Sequence, residues 1–249
     1  MCVASVWALT GCSKREPRIA VRFELIGGDA LRDARLYVHD IQLLDATGGV
    51  QTFTLDSSSP WQSERVALLD LIGSEQRPGN SAVVGHAPAR RYAGIRFTVG
   101  VPVELNHANQ LLATVPLDRG EMFWSWQSGY KFMRFEISAS EHQASFHLGS
   151  TGCSSASALR PPQQPCTQPN RMQIELRGFD PSTQSIRIDG PALIAALQQG
   201  GQRACSGDYA HEPACIAPFA LTGLDPRTGQ CAGNEGPCTQ QRLFIVPGP

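Results

Sequence analysis

The stretch Ile95-Arg96-Phe97-Thr98-Val99-Gly100-Val101 places an apolar side chain at every second position, with Arg96 and Thr98 between them. Successive side chains of extended backbone point to opposite faces, so this period of two describes a half-buried strand. The pattern recurs outward in both directions. Upstream, Ile19, Val21, Phe23 and Leu25 alternate with Arg18, Arg22 and Glu24, and residues 36–44 and 66–71 also read as strands. Downstream it returns at Met133/Phe135/Ile137, Phe146/Leu148, Met172/Ile174/Leu176, Ile186/Ile188 and Phe244/Val246. Turn residues separate these runs: Gly27-Gly28-Asp29, Thr47-Gly48-Gly49, Pro78-Gly79-Asn80 and Asp180-Pro181-Ser182. Many short strands punctuated by turns predict an all-β fold, an antiparallel β-sandwich. Helix is expected at 191–199, between Pro191 and the Gly200-Gly201 stop, and as a single turn at 217–224.

The 249 residues carry a net charge of −1 and only two lysines, Lys14 and Lys131. No basic stripe interleaves with aromatics, which argues against a nucleic-acid role. At the N-terminus the apolar run 3–9 leads into Leu9-Thr10-Gly11-Cys12, followed by a polar tether at 13–17. A short apolar run ending in small residues reads as an export signal. Small residues before a cysteine resemble the bacterial lipobox, which makes Cys12 the expected lipidation site. The serine after it resembles the choice for the outer membrane. The expected organisation is a signal and tether at 1–17 and one sandwich domain at 18–249, whose part from about 151 onward is cysteine-rich. Cys153, Cys166, Cys205, Cys215, Cys231 and Cys238 all fall there, among Gly, Pro and Ser. In an exported chain they predict a disulfide framework. Sequence-local pairs are expected among the many pairings allowed: Cys153–Cys166, Cys205–Cys215 and Cys231–Cys238. No CxxC occurs, which argues against a zinc ribbon.

Residues 99–153 hold the side chains with chemistry to offer. Trp124 and Trp126 lie two apart beside Met122, Phe123 and Tyr130, a spacing that would put both indoles on one strand face. His107 and His147 flank this cluster, and His147, between Phe146 and Leu148, should face away from their apolar side. Neutral imidazole with thioether or aromatic company suits copper. The plain alternative is a packed core with histidines capping loops, since no HxH or HxxxH motif is present. A nucleophilic enzyme finds no support, because GxSxG is absent. Gly149-Ser150-Thr151-Gly152 lacks the lysine of a phosphate loop. Glu136 and Glu141 are expected on a solvated surface. No catalytic residue can be named.

Six stretches resemble the MbnP family, the four-Cys proteins of the metallo-mystery pair. They are RVALLDL (65–71), YAGIRFTVGVPVELNHAN (92–109), MFWSWQSGYKFMRFEI (122–137), HLGSTGC (147–153), PNRMQIEL (169–176) and CIAPFALTGLD (215–225). The resemblance implies an exported periplasmic protein that binds copper, as Cu(I) or Cu(II), for acquisition, storage or delivery. It implies a di-haem partner, MbnH, similar to cytochrome c peroxidases, that oxidises a tryptophan to kynurenine. Related proteins hold copper with two histidines and that modified side chain. Positions inside the matching stretches are His107, His147, Trp124 and Trp126, with Trp61 a further candidate for oxidation and His39 and Met122 further ligands. Cys153, Cys166, Cys205 and Cys215 correspond to the four-Cys set. The loop at 72–80 is shorter than the family's usual one and lacks a cysteine. The rival expectation is a metal-free ligand-binding sandwich that stacks its Trp pair on a sugar or peptide.

Overall fold

The computed structural model describes residues 16–76, 78–139, 142–200, 204–207, 212–232 and 236–248, so Cys12 and the expected signal lie outside the described residues, as does Glu141. The first strands are β1 (Arg18–Ile26), β2 (Leu31–Asp45), β3 (Val50–Thr52), β4 (Thr54–Leu55), β5 (Ala67–Asp70), β6 (Ala82–His86) and β7 (Tyr92–Val99). A short helix α1 (Val103–Asn106) precedes β8 (Phe123–Ser125), β9 (Gly129–Ala139), β10 (His142–Gly149) and β11 (Met172–Arg177). Then come β12 (Ser185–Asp189), α2 (Gly190–Gln199), β13 (Ala204–Cys205), α3 (Ile216–Thr222), β14 (Leu224–Asp225), β15 (Gln230–Cys231) and β16 (Phe244–Ile245). Among the described residues no helix is long and apolar enough to cross a membrane.

The all-β sandwich is borne out, with sheets that are mixed. One runs β16-β12-β1-β6-β4 and the other β11-β7-β2-β9-β10-β13, with β3 and β5 also paired to β2 and β8 to β9. Most pairings are antiparallel, but β1–β12 and β10–β13 are parallel. The alternating residues behave as the pattern predicts: Val21, Phe23, Ile95, Phe97, Val99, Phe135, Ile174 and Ile188 are all 0–3% exposed in one core cluster. Phe97 stands at its centre, edge-on to Phe23 at 5.6 Å and to Phe244 at 5.5 Å. Each large apolar side chain so buried contributes about 1.5–3 kcal/mol relative to exposure. The two expected helices form, α2 capped by the Asp189 carboxylate, which accepts from Ala192 N–H at 2.9 Å.

The sheet of β2 and β9 is covered on its other face as well. Tyr37, Val66, Leu68, Val101, Leu117, Met122, Tyr130 and Phe132 make a second buried cluster there. It forms because the chain from Val101 to Ser128 folds back over the sheet. Tyr37 and Tyr130 meet edge-on at 5.9 Å, and their hydroxyls donate to the Pro116 and Leu117 carbonyls at 3.0 and 2.8 Å. That segment carries His107, Trp124 and Trp126 to the sheet.

On the same face, away from Phe135 and Phe146, lies a charged network where the sequence suggested a solvated surface. Glu136 is only 6% exposed. Its carboxylate meets Arg134 Nε at 2.8 Å, Arg32 Nη2 at 3.0 Å and His147 Nε2 at 2.8 Å. Asp33 and Arg35, 7% and 3% exposed, pair along β2, and Arg35 Nη1 reaches Glu121 at 2.7 Å. Asp33 is paired across the ladder with Glu136, and Arg35 with Arg134. Like charges opposite one another repel, so the ion pairs run along strands and diagonally instead.

Candidate metal centre

His107 closes α1 and is half-buried. Its neighbours determine which nitrogen carries the proton. Asn106 Oδ1 accepts from Tyr130 N–H at 3.0 Å, which fixes the orientation of the amide. Asn106 Nδ2 therefore donates, and it sits 3.0 Å from His107 Nε2. His107 Nδ1 lies 3.1 Å from the Trp126 carbonyl oxygen, an acceptor only. Both contacts demand the same tautomer: Nδ1–H donates to Trp126, and Nε2 presents a lone pair. Burial lowers the imidazole's pKa, opposed by the Trp126 carbonyl and aided by the charge of Arg171. The group is thus a neutral donor with its other nitrogen anchored, the state in which proteins hold metal-ligating histidines.

His147 is prepared in the mirror sense. The Glu136 carboxyl is held ionised, at about 2, by Arg134 and His147 hydrogen bonds against its burial. His147 Nε2–H therefore donates to it, which leaves Nδ1 with the lone pair. Burial lowers the His147 pKa, opposed by the hydrogen bond and charge of Glu136 and aided by Lys131 and Arg134. Because Arg134 and Arg32 already compensate Glu136, the imidazole stays neutral. Trp124 shares this neighbourhood: a Cβ at Gly149, two positions along β10, would come within 2.5 Å of its ring, and Lys131 Nζ lies 6.0 Å from the ring centre.

The structure thus brings Trp126 to His107 and Trp124 to the surroundings of His147. The two indoles do not share a strand face, because β8 ends at Ser125 and Trp126 begins the turn to β9. Met122 is fully buried within the second cluster, where it packs. Trp61 packs against the same cluster with the Arg119 guanidinium 5.0 Å from its ring. His39 is 5% exposed, and its Nε2 has no hydrogen-bond partner among the described residues. Asp40 Oδ2 lies 2.9 Å from Nδ1, off hydrogen-bond geometry. A bulge between His39 and Gln42, with Asp40 at φ 50°, gives β2 its local bend here. Two contributors had no signal in the sequence. Asn106 fixes the His107 tautomer, and Arg171 stacks over Phe132 at 4.9 Å with a buried Nη2 lacking a partner among the described residues. Burial holds the Arg171 guanidinium down at about 10.

Burial lowers the pKa of His39, His107 and His147 from an ordinary value of 6.5. As pH falls through that value the unfolded chain takes up protons before the folded one. Their stabilising contribution is therefore complete above pH 6.5 and is lost below it. Lowered carboxylates such as Glu136 add to the loss only below its ordinary 4.5. Urea midpoints are expected to fall between about pH 7 and about pH 5, and a flat profile would contradict the assignment of neutral imidazoles.

All three sequence-local disulfides are present: Cys153–Cys166, Cys205–Cys215 and Cys231–Cys238. No curated protein matches the chain significantly. Among solved structures, MbnP from Methylosinus trichosporium superposes with a TM-score of 0.77 at 26% identity, covering 93% of this chain and 98% of that one. A family model described as MbnP matches residues 27–200, and by that match the chain belongs to the MbnP family.

Proposed function

We propose that the protein holds copper at His107 and is the substrate, not the catalyst, of a redox partner. Family membership supports a role in copper handling. The observation that carries the site is the His107 tautomer: Nδ1–H is tied to the Trp126 carbonyl, and the Nε2 lone pair faces the Asn106 amide, which a metal would displace. Trp126 is the tryptophan whose backbone touches that ligand. Oxidative opening of its indole by an MbnH-like di-haem protein, with two equivalents of hydrogen peroxide as oxidant, inserts two oxygen atoms at the C2–C3 bond and releases two waters. Hydrolysis then removes the ring carbon as formate and leaves kynurenine with a free aromatic amine. That amine would join His107 as a second donor. His39, buried with an Nε2 unpartnered among the described residues, and His147, whose Nε2 is tied to Glu136 so that Nδ1 carries the lone pair, are the imidazoles that can complete the set. Trp124 is the next candidate for oxidation and Trp61 the last, because packing holds it under Arg119. We place this chemistry in the periplasm, on a chain anchored through Cys12 to the outer membrane, in copper acquisition, storage or delivery.

Peptide mass mapping of protein produced with and without its di-haem partner tests this reading. With the partner, the peptide containing Trp126 should lose one carbon and gain one oxygen, and copper should be retained. Unmodified tryptophans together with no retained copper would overturn it.

A further inference from the structure

Cys153 and Cys166 are bonded 13 residues apart, and both are half-buried. Cys205 and Cys215, by contrast, are 0% exposed. The more accessible disulfide also has a histidine against it: His107 Nε2 lies 3.5 Å from Cys166 Sγ. That nitrogen and both sulfurs lie within 4.8 Å of one another. Metal–sulfur bonds of ~2.3 Å and metal–nitrogen bonds of ~2.0 Å put the ligand atoms of a small site ~3.5–4 Å apart. The three atoms already occupy a space of that size, and only the sulfur–sulfur bond prevents both sulfurs from acting as thiolates.

We infer that the Cys153–Cys166 disulfide is the oxidised form of a site in which two thiolates and the His107 imidazole bind a soft cation, Cu(I) foremost. The inference deepens the copper reading and rests on it for the choice of cation. The segments bearing the cysteines are held together independently of their bond. Thr151 and Gln168 form a two-way backbone bridge, with N···O distances of 2.9 and 3.1 Å, and Thr167 N–H donates to Gly152 O at 3.3 Å. Reduction therefore leaves the sulfurs beside His107. Asn106, whose amide donates to Nε2, has Ser150 Oγ at 3.5 Å as a second acceptor, so it can release the nitrogen. Soft thiolate donors favour Cu(I), and imidazole also suits copper.

The reductant is a dithiol. One of its thiolates attacks Cys153 Sγ, the disulfide breaks, and Cys166 Sγ leaves as a thiolate next to His107. The second reductant thiol displaces Cys153 and closes the reductant's own disulfide. Two electrons and two protons reach the protein, and the cation later displaces the two protons.

The test uses the full chain, anaerobically, with limiting dithiothreitol and Cu(I) supplied from a chromophoric chelator. Alkylation and peptide mapping should show Cys153 and Cys166 opened first. The reduced protein should then compete for one Cu(I) per chain at least roughly 10- to 100-fold better than the oxidised protein, the size of effect that even an outer-shell partner produces. Alkylating the two thiols in the reduced wild type should abolish the gain without any substitution. His107→Ala, which keeps both thiols, should weaken it by a similar factor. First opening of Cys205–Cys215, unchanged uptake on reduction, or a gain that survives alkylation of Cys153 and Cys166 would overturn the inference. Copper retention by the oxidised chain reports separately on the proposed function. Retention there without a gain on reduction leaves that function standing and removes this site; a gain without such retention does the reverse.

Discussion

Replacing Arg35 with methionine is expected to destabilise the protein by about 3 kcal/mol, the lower end of the range for breaking a buried ion pair. Its guanidinium is 3% exposed and gives Asp33 Oδ1 an Nε–H bond at 2.8 Å, while Nη1 reaches Glu121 at 2.7 Å. Methionine fills much of the volume but leaves the Asp33 carboxylate buried, with Arg134 at 3.3 Å as its remaining cation. That residual pairing is why the low end applies. Urea denaturation measures the loss. A change below about 1 kcal/mol would mean that the network behaves as an exposed one. The double replacement Arg35→Met with Asp33→Asn should recover part of the loss, since it removes the stranded charge as well.

Loss of the Cys205–Cys215 bond, by replacing both residues with alanine, is the second large effect, about 2–5 kcal/mol. The bond closes a loop of sequence separation 10 and ties β13 to the turn that starts α3. β13 pairs in parallel with β10 through Phe146 and Cys205, and Phe146 meets Phe219 of α3 at 6.0 Å. Unfastening it loosens both the end of the sheet and the helix packed beside it. Cys231–Cys238 closes a loop of separation 7, so its removal should cost less. Loop closure alone separates the two bonds by only about 0.3 kcal/mol, so a clearly larger loss at Cys205–Cys215 would come from the packing around Cys205 and Cys215, both 0% exposed.

The strands around Phe97 were legible because a buried face imposes a strict period of two. The local disulfides were legible because their separations are short. Parallel partners for β1 and β10 were not, since each depends on a distant stretch, β12 and β13, that carries no register signal of its own. Glu136 looked like surface because its neighbours on β9 alternate as on an open strand. The burial comes from Arg32 on β2, Arg134 on β9 and the His147 imidazole on β10, which meet only after folding. The two histidines and two tryptophans stood out by residue type, yet their grouping did not: the hairpin turn at Trp126 separates the indoles that the strand spacing would pair. Asn106, which sets the His107 tautomer, does so through Tyr130, 24 residues away. Arg171 preceded an ordinary alternating strand and gave no sign that its Nη2 would be buried with no partner among the described residues.

The claim that His107 is the copper ligand is tested most directly by copper content after gel filtration of the wild type and His107→Ala, each loaded in the oxidised state after exposure to the di-haem partner. The account expects near-stoichiometric copper in the wild type and almost none in the variant, with unchanged circular dichroism. Equal retention by a folded His107→Ala protein would contradict it.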